Sequence, residues 1–448
     1  MRSLTSFFRR HLPSASNTGA KTDESQSPET ARDQSPPRVF PSSGFDIVKP
    51  SQKLEEENYS WYSVKDFYPA AIGEVFQNTY QVVAKLGYGT ASTTWLCHDL
   101  RRHRYVALKI FASRGKQPAR EIAALEHINL ALAASQHVKH IGADSIRTLL
   151  NQFQISRPKS SRTHRCLVFD PLGASLAFCR KRVFGGRMSI SMVKCVAFQI
   201  LQALDFLHRE ANLLHGDVQE DNIMFSVVEA SEWRAVEDAE MVEPTPRKVY
   251  KDHAIHSTRM SYLPPPKSPM VLCDFGEARF GSEAYSEHAM PDLYRAPEIL
   301  LRIQWNEKID IWALGLVLWR LVEGTNLFTN NEGGRWKSAL PHMARMISLL
   351  GPPPQHLLDS NPATKVYFDK TGKLKKGHKI VETSLEAEAT ALEGETKAEF
   401  LRFLRRMLHW DQDERPSAQE LLKDPWFTVT DLSDSESEAG EDEEQGEE

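Results

Sequence analysis

Leu213-Leu214-His215-Gly216-Asp217-Val218-Gln219-Glu220-Asp221-Asn222-Ile223 is the stretch on which the reading of this chain turns. An apolar pair leads into a His, an Asp stands two positions on, and an Asn follows five after that. A loop of this spacing can offer a carboxylate to take a proton from a hydroxyl, and an amide to hold a metal beside phosphates. His, Asp and Asn are also common turn residues, so the pattern gains weight only from what flanks it.

The flanks supply it. Upstream, Gly87-Tyr88-Gly89-Thr90-Ala91-Ser92 separates two strand-like runs, and glycines there let backbone N–H groups approach phosphates. Val106-Ala107-Leu108-Lys109 follows, placing an ammonium among apolar neighbours. Such a cation needs an anion, and Glu121 on the next predicted helix is the natural partner. Downstream, Cys273-Asp274-Phe275-Gly276 adds a second metal-binding carboxylate before a sharp turn. Tyr294-Arg295-Ala296-Pro297-Glu298 comes next, with Arg415 the expected bidentate partner of Glu298. Asp310, opening the apolar run Ile309–Leu321, is expected to anchor the loop backbone.

Composition bounds the rest. The 448 residues are 41% hydrophobic and 26% charged, as in a globular protein. No apolar run approaches a membrane span, and Ile311–Val322 contains Arg320. Cys97, Cys166, Cys179, Cys195 and Cys273 are odd in number and lack metal or disulfide spacing. The net charge of −5 hides a split: 431–448 carry ten acids and no Lys or Arg, leaving −5 − (−10) = +5 for the remainder. No dense basic patch interleaves with aromatics, so direct nucleic-acid binding is not expected.

Periodicity divides the chain. Residues 1–57 read as a disordered tail and 58–79 as an N-terminal extension. Strand patterns dominate 80–170 and helical ones 171–427, an α+β plan of two lobes. Val228–Pro269 reads as a surface insertion, 351–396 as a second, and 428–448 as an acidic disordered tail. Met1–Lys21 is basic and free of acids, as in an organelle transit peptide; a plain basic tail on a cytoplasmic or nuclear protein is the other reading.

Taken together and in order, these motifs resemble the eukaryotic protein kinase family over about Tyr80–Phe427. Tyr294-Arg295 before Ala-Pro-Glu and Leu350-Gly351-Pro352-Pro353-Pro354 are similar to its CMGC group. Ile72-Gly73-Glu74-Val75-Phe76, Ser92 at the third glycine position and the spacer before Asp274 resemble the SR-protein kinases (SRPK). The resemblance implies a monomeric Ser/Thr kinase using ATP and Mg2+ on protein substrates, Arg/Ser-rich splicing factors among them. It implies Asp217 as catalytic base, Lys109 and Glu121 positioning phosphates, and Asn222 and Asp274 on the metal. Leu86, Gly87, Gly89, Ser92, Thr94 and Ala107 would surround the nucleotide, the backbone of Asp170 and Leu172 would hydrogen-bond adenine, and Phe169 would be the gatekeeper.

The chain departs from the family at four places. Gly216 stands where many kinases carry an Arg that pairs with an activation-segment phosphate, so activity without phosphorylation of Ser282, Tyr285 or Ser286 is expected. Gln219 replaces a Lys, and Pro291 the Thr that contacts it, removing a cation from the transferring phosphoryl and reducing the rate. Lysines across Phe368–Lys379 would repel Arg-Ser repeats. A nucleotide-binding scaffold without transfer is the competing reading; the retained Lys, Glu, Asp, Asn and Asp weigh against it.

Overall fold

The computed structural model describes residues 34–427 apart from 116, 135–139, 158–159, 228, 260–267, 282–284, 329–338 and 376–379. The transit-like Met1–Lys21, Pro264–Pro266, Ser282, part of the lysine cluster and the acidic tail therefore lie outside the described residues.

The first lobe is one antiparallel sheet of six strands. Its members are β1 (Val75–Phe76), β2 (Tyr80–Tyr88), β3 (Ser92–Asp99), β4 (Arg104–Phe111), β5 (Asn151–Ser156) and β6 (Thr163–Phe169), ordered β1-β2-β3-β4-β6-β5. Successive side chains in a strand face opposite ways. On β4 this sends Val106, Leu108 and Ile110 to one cluster with Trp95, Cys97 and Val168. It turns Ala107, Lys109 and Phe111 toward helix α1 (Gln117–Ala134), where Ala124, Leu125 and Ile128 are buried. Only such alternation can deliver a lysine to the inner face of an otherwise apolar strand.

The second lobe is helical. Helix α2 (Ile190–Asp205) continues through a wider π turn, Phe206–Glu210. The span Ile190–Glu210 is long and apolar enough to cross a membrane, which the sequence reading had denied to every segment. An 18-residue window within it has a mean hydropathy of 1.5 and is 83% buried in the lobe, as the core helix of a globular lobe is. A three-stranded sheet joins the lobes' interface: β7 (Leu172–Ser175), β8 (Ile223–Ser226) and β9 (Met270–Leu272), in the order β9-β8-β7. Helix α3 is Ala230–Val242, α4 is Lys308–Glu323 and α5 is Gly394–Met407. As its largely apolar sequence implies, α4 is buried nearly all round.

Two expectations need correction. Residues 34–57 are not a loose tail. Arg38 exchanges hydrogen bonds with Gln81, Phe40 packs near Gly73, and Ile47 bridges to Arg247. Nor are the described residues of the 228–269 insertion confined to the surface. Trp233 of α3 is buried against Val83, Ala84 and Leu96, and Glu237 of the same helix takes the Tyr105 hydroxyl. Glu232, Arg234 and Glu237 around Trp233 and Val236 conceal this apolar face in sequence, and no local signal announces a partner on β2 or β3.

A fully buried ion pair braces the second lobe. Arg415 meets Glu298 through two 2.7 Å contacts and also donates to the carbonyls of His409 and Lys308. Removing one member strands the other's charge without water, at a cost of about 3–5 kcal/mol. Glu298→Ala should lower the urea unfolding midpoint by a corresponding margin. A midpoint within error of wild type would show that the pair braces nothing.

Candidate active site

Lys109 and Glu121 meet across the first lobe: the ammonium donates to both carboxylate oxygens at 2.8 Å. Asp274 lies 3.6 Å beyond the same ammonium. Burial works against the Lys109 charge, but Asp274 and Glu121 outweigh it and keep the ammonium above its ordinary pKa. At Asp274 burial opposes ionisation too, and Lys109 with the Gly276 N–H holds the carboxyl below its ordinary value. One cation thus serves an acid from each lobe.

The loop carrying Asp217 hangs from Asp310. That carboxylate accepts the backbone N–H of His215 at 2.7 Å and of Gly216 at 2.8 Å, and contacts His208 at 3.0 Å. The Asp217 N–H donates to His215 Nδ1, which leaves Nε2 to donate to the Cys273 carbonyl at 3.0 Å. Catalytic loop and metal-turn strand are thereby tied through one imidazole. Gly216 has φ +75°, and a Cβ there would fall 2.6 Å from the Glu277 carbonyl. The missing Arg is therefore a backbone requirement as well as a lost cation.

Around Asp217 two amides take the place of a cation. Gln219 Nε2 donates to both carboxylate oxygens at 2.9 Å, and Asn222 Nδ2 donates to Oδ2 at 2.9 Å and to the Asp217 carbonyl at 2.8 Å. Burial, augmented by the Asp274 charge, pushes the Asp217 carboxyl up to about 7 against these donors. Asn222 keeps its side-chain oxygen as an acceptor while its nitrogen is committed to Asp217. Asp274, at φ +65°, is held in a left-handed conformation that a non-glycine residue adopts at a cost.

A cavity of about 730 Å³ runs between the lobes. Leu86, Gly87, Gly89, Ser92, Thr94, Ala107 and Leu172 line it, together with Lys109, Glu121, Asp217, Asn222 and Asp274. The Asp170 side chain faces outward, 3.7 Å from Arg104, beside a second cavity of about 560 Å³; the adenine contact expected of this residue is its backbone's. Phe169 closes the back of the cleft, buried, with the Arg147 guanidinium 4.3 Å from its ring centre. Arg147 went unnoticed in sequence because it sits in an irregular run before β5, where no periodicity or motif marks it. The Arg180–Glu220 pair at 2.8 Å, which fixes the loop between Asp217 and Asn222 to the short helix Leu176–Arg182, was equally silent. Cys273 borders the cleft, but burial lifts its thiol to about 11, so it is neutral near pH 7.

Comparison with known proteins agrees with this geometry. The protein kinase domain family matches residues 80–427. A serine/threonine protein kinase of Aspergillus fumigatus is 38% identical over 396 residues, covering 88% of this chain and 95% of that protein. The serine/threonine-protein kinase SRPK of Physarum polycephalum is 27% identical over 398 residues, 83% of this chain and 91% of its own. A crystal structure of a kinase domain shares the fold with a TM-score of 0.62 at 24% identity, over 81% of this chain and 99% of that one. The chain belongs to the protein kinase family, among its serine/threonine enzymes.

Proposed function

We propose that this enzyme moves the γ-phosphoryl group of ATP, accompanied by Mg2+, onto Ser or Thr hydroxyls of proteins, as an SRPK-like kinase. The observation that carries the reading is the meeting of Lys109, Glu121, Asp274, Asn222 and Asp217 on one cavity, although up to 165 residues separate them in sequence. The glycine turn offers N–H groups to phosphates, and Lys109 adds a fixed charge behind it. Asp217 orients the incoming hydroxyl and takes its proton as the oxygen bonds to phosphorus and ADP leaves.

The donor set fits a hard cation. Asn222 Oδ1 and the Asp274 carboxylate are oxygen ligands, which Mg2+ prefers. Two protein oxygen ligands leave the rest of an octahedral Mg2+ shell to nucleotide phosphates and water, the usual arrangement for this ion. When bound, the ion neutralises charge gathering on the phosphates; this chain's contribution is to hold the two ligands in place.

The described residues of the activation segment are tied by side-chain contacts. Arg279 meets Glu287 at 2.7 Å, Arg120 meets Glu277 at 2.8 Å, and Tyr285 stacks on Trp305 with its hydroxyl donating to the Phe280 carbonyl. These contacts support activity that needs no phosphorylation of that segment. Lys365, Lys370, Lys373 and Lys375 are exposed on the second insertion, whose Tyr367 shares a cavity with Arg295 of the segment. Like charge there disfavours strongly basic docking segments, Arg-Ser repeats included. The scaffold alternative rests on Gly216 and on Gln219, which puts a neutral amide where a cation would serve transfer.

Three measurements test this reading. In a peptide-library assay with labelled ATP, wild type should transfer and Asp217→Asn should lose about 10²–10⁴-fold in kcat while still binding nucleotide. Equal labelling by both would overturn the assignment of Asp217; nucleotide binding with no transfer by wild type would establish the scaffold. Because Asp217 accepts a proton only when ionised, kcat/KM should fall as pH drops through its raised pKa, near 7. Gln219→Lys favours the ionised form, so its acid limb should move to lower pH and its kcat should rise on the order of tenfold. An unmoved limb would contradict the account of that amide. Phosphatase treatment of the purified enzyme should leave transfer intact, and abolition would refute independence from activation-segment phosphorylation.

A further inference from the structure

Ahead of the family-matched residues, Leu54–Trp61 makes one short turn whose three successive acids are each committed to a cation or donor on another element. Glu55 accepts the Thr258 N–H at 2.6 Å and its hydroxyl at 2.7 Å, and lies 3.1 Å from the Lys85 ammonium. Glu56, itself buried, takes the same ammonium. Glu57 takes Lys248 Nζ at 3.0 Å. Lys85 is 1% exposed and belongs to β2, two positions before Gly87, so the turn is anchored on the strand that leads into the glycine hairpin. The 228–269 insertion closes the arrangement: the Arg259 N–H donates to the Lys85 carbonyl at 2.9 Å, and the Arg259 side chain meets Glu240 of α3 at 2.7 Å.

What this anchoring presents is an aromatic ring. Tyr59 stacks on Trp61 with ring centres 4.8 Å apart and meets Tyr88, inside the glycine turn, edge-on at 6.0 Å. Tyr59 and Thr258 both line the cavity that holds Gly87, Gly89, Lys109, Asp217 and Asp221. Burial, and then the charges of Asp221 and Glu56, raise the Tyr59 hydroxyl above its ordinary pKa. Asp221 belongs to the catalytic loop, on the opposite lobe. The ring therefore stands at the front of the cleft, between the glycine turn above and the catalytic loop below.

We propose that the nucleotide site is composite: Tyr59, positioned by the Glu55–Glu57 turn and the Thr258–Arg259 stretch, forms its front wall and retains ATP over the phosphate end. The proposal rests on the kinase reading for the identity of the nucleotide. A buried Lys85 needs those acids whatever the turn does, so the ion pairs alone would serve folding. The wall is a separate matter, because Tyr59 contributes no ion pair; its contacts are the two rings and the cavity.

The test uses the full chain and MgATP binding at equilibrium, by titration calorimetry, so it reads affinity rather than transfer. Tyr59→Ala should weaken binding about three- to tenfold, the scale of a lost aromatic contact. Tyr59→Phe should restore it, since the ring forms the wall. Trp61→Ala, which removes the ring stacked behind Tyr59, should weaken binding in the same direction. Thermal unfolding of each variant separates a folding defect from a site defect. Unchanged MgATP affinity in Tyr59→Ala would overturn the wall while leaving the kinase reading intact. Failure of wild type to bind MgATP at all would overturn both.

Discussion

A lysine ammonium cannot be kept on the inner face of a sheet unless an acid is brought to it, and much of this architecture serves that need. Lys109 is fixed by β4, Glu121 by α1 and Asp274 by the turn after β9, three elements with no covalent reason to meet. Their convergence at 2.8 and 3.6 Å sets the distance between the lobes at the cleft. Alternation on β4 aims the lysine, the packing of Ala124, Leu125 and Ile128 holds α1 against it, and the β8–β9 pairing carries Asn222 and Asp274 to neighbouring strand ends. Loss of that ion pair would leave an acid and an ammonium buried without compensation and would release the helix that the site depends on.

The catalytic loop shows a second economy. Asp310, at the start of the most buried helix, accepts two consecutive backbone N–H groups and so fixes the loop without touching Asp217. Burial opposes its ionisation, but His208 and the loop donors hold its carboxyl below the ordinary range. The loop is thus referenced to the core of one lobe, whereas Lys109 is referenced to the other. Alignment of the two is what the cavity between them records. Gln219 in this setting keeps the geometry of Asp217, by hydrogen bonding to both oxygens, while giving up the charge.

Local motifs made most of the site legible in sequence. Glycine turns, the Lys on an apolar strand, and Asp–Asn spacing each follow from short-range chemistry, so Lys109, Asp217, Asn222 and Asp274 could be named, and Glu121 inferred from need. Contacts dictated by distant packing were not legible. Gly216 was read as a lost cation, although the Glu277 carbonyl leaves no room for a Cβ. Arg147 reaches the gatekeeper from an unpatterned stretch, and Trp233 lies in a run too charged to look like core. The turn at Glu55–Glu57 was taken as part of a tail because its acids pair with Lys85, Lys248 and Thr258, residues that only the fold makes neighbours.

The central claim, that the Lys109–Glu121 pair organises the site for transfer, is tested most directly by single-turnover phosphotransfer with Glu121→Gln. That change keeps the shape, removes the charge that holds the ammonium and turns one of its two acceptor oxygens into an amide donor. The account predicts a transfer rate lower by on the order of a hundredfold, on the scale of removing one electrostatic contributor to a transition state. Transfer at the wild-type rate would show that the pair is a structural ornament of the cleft and that the phosphates are positioned by other means.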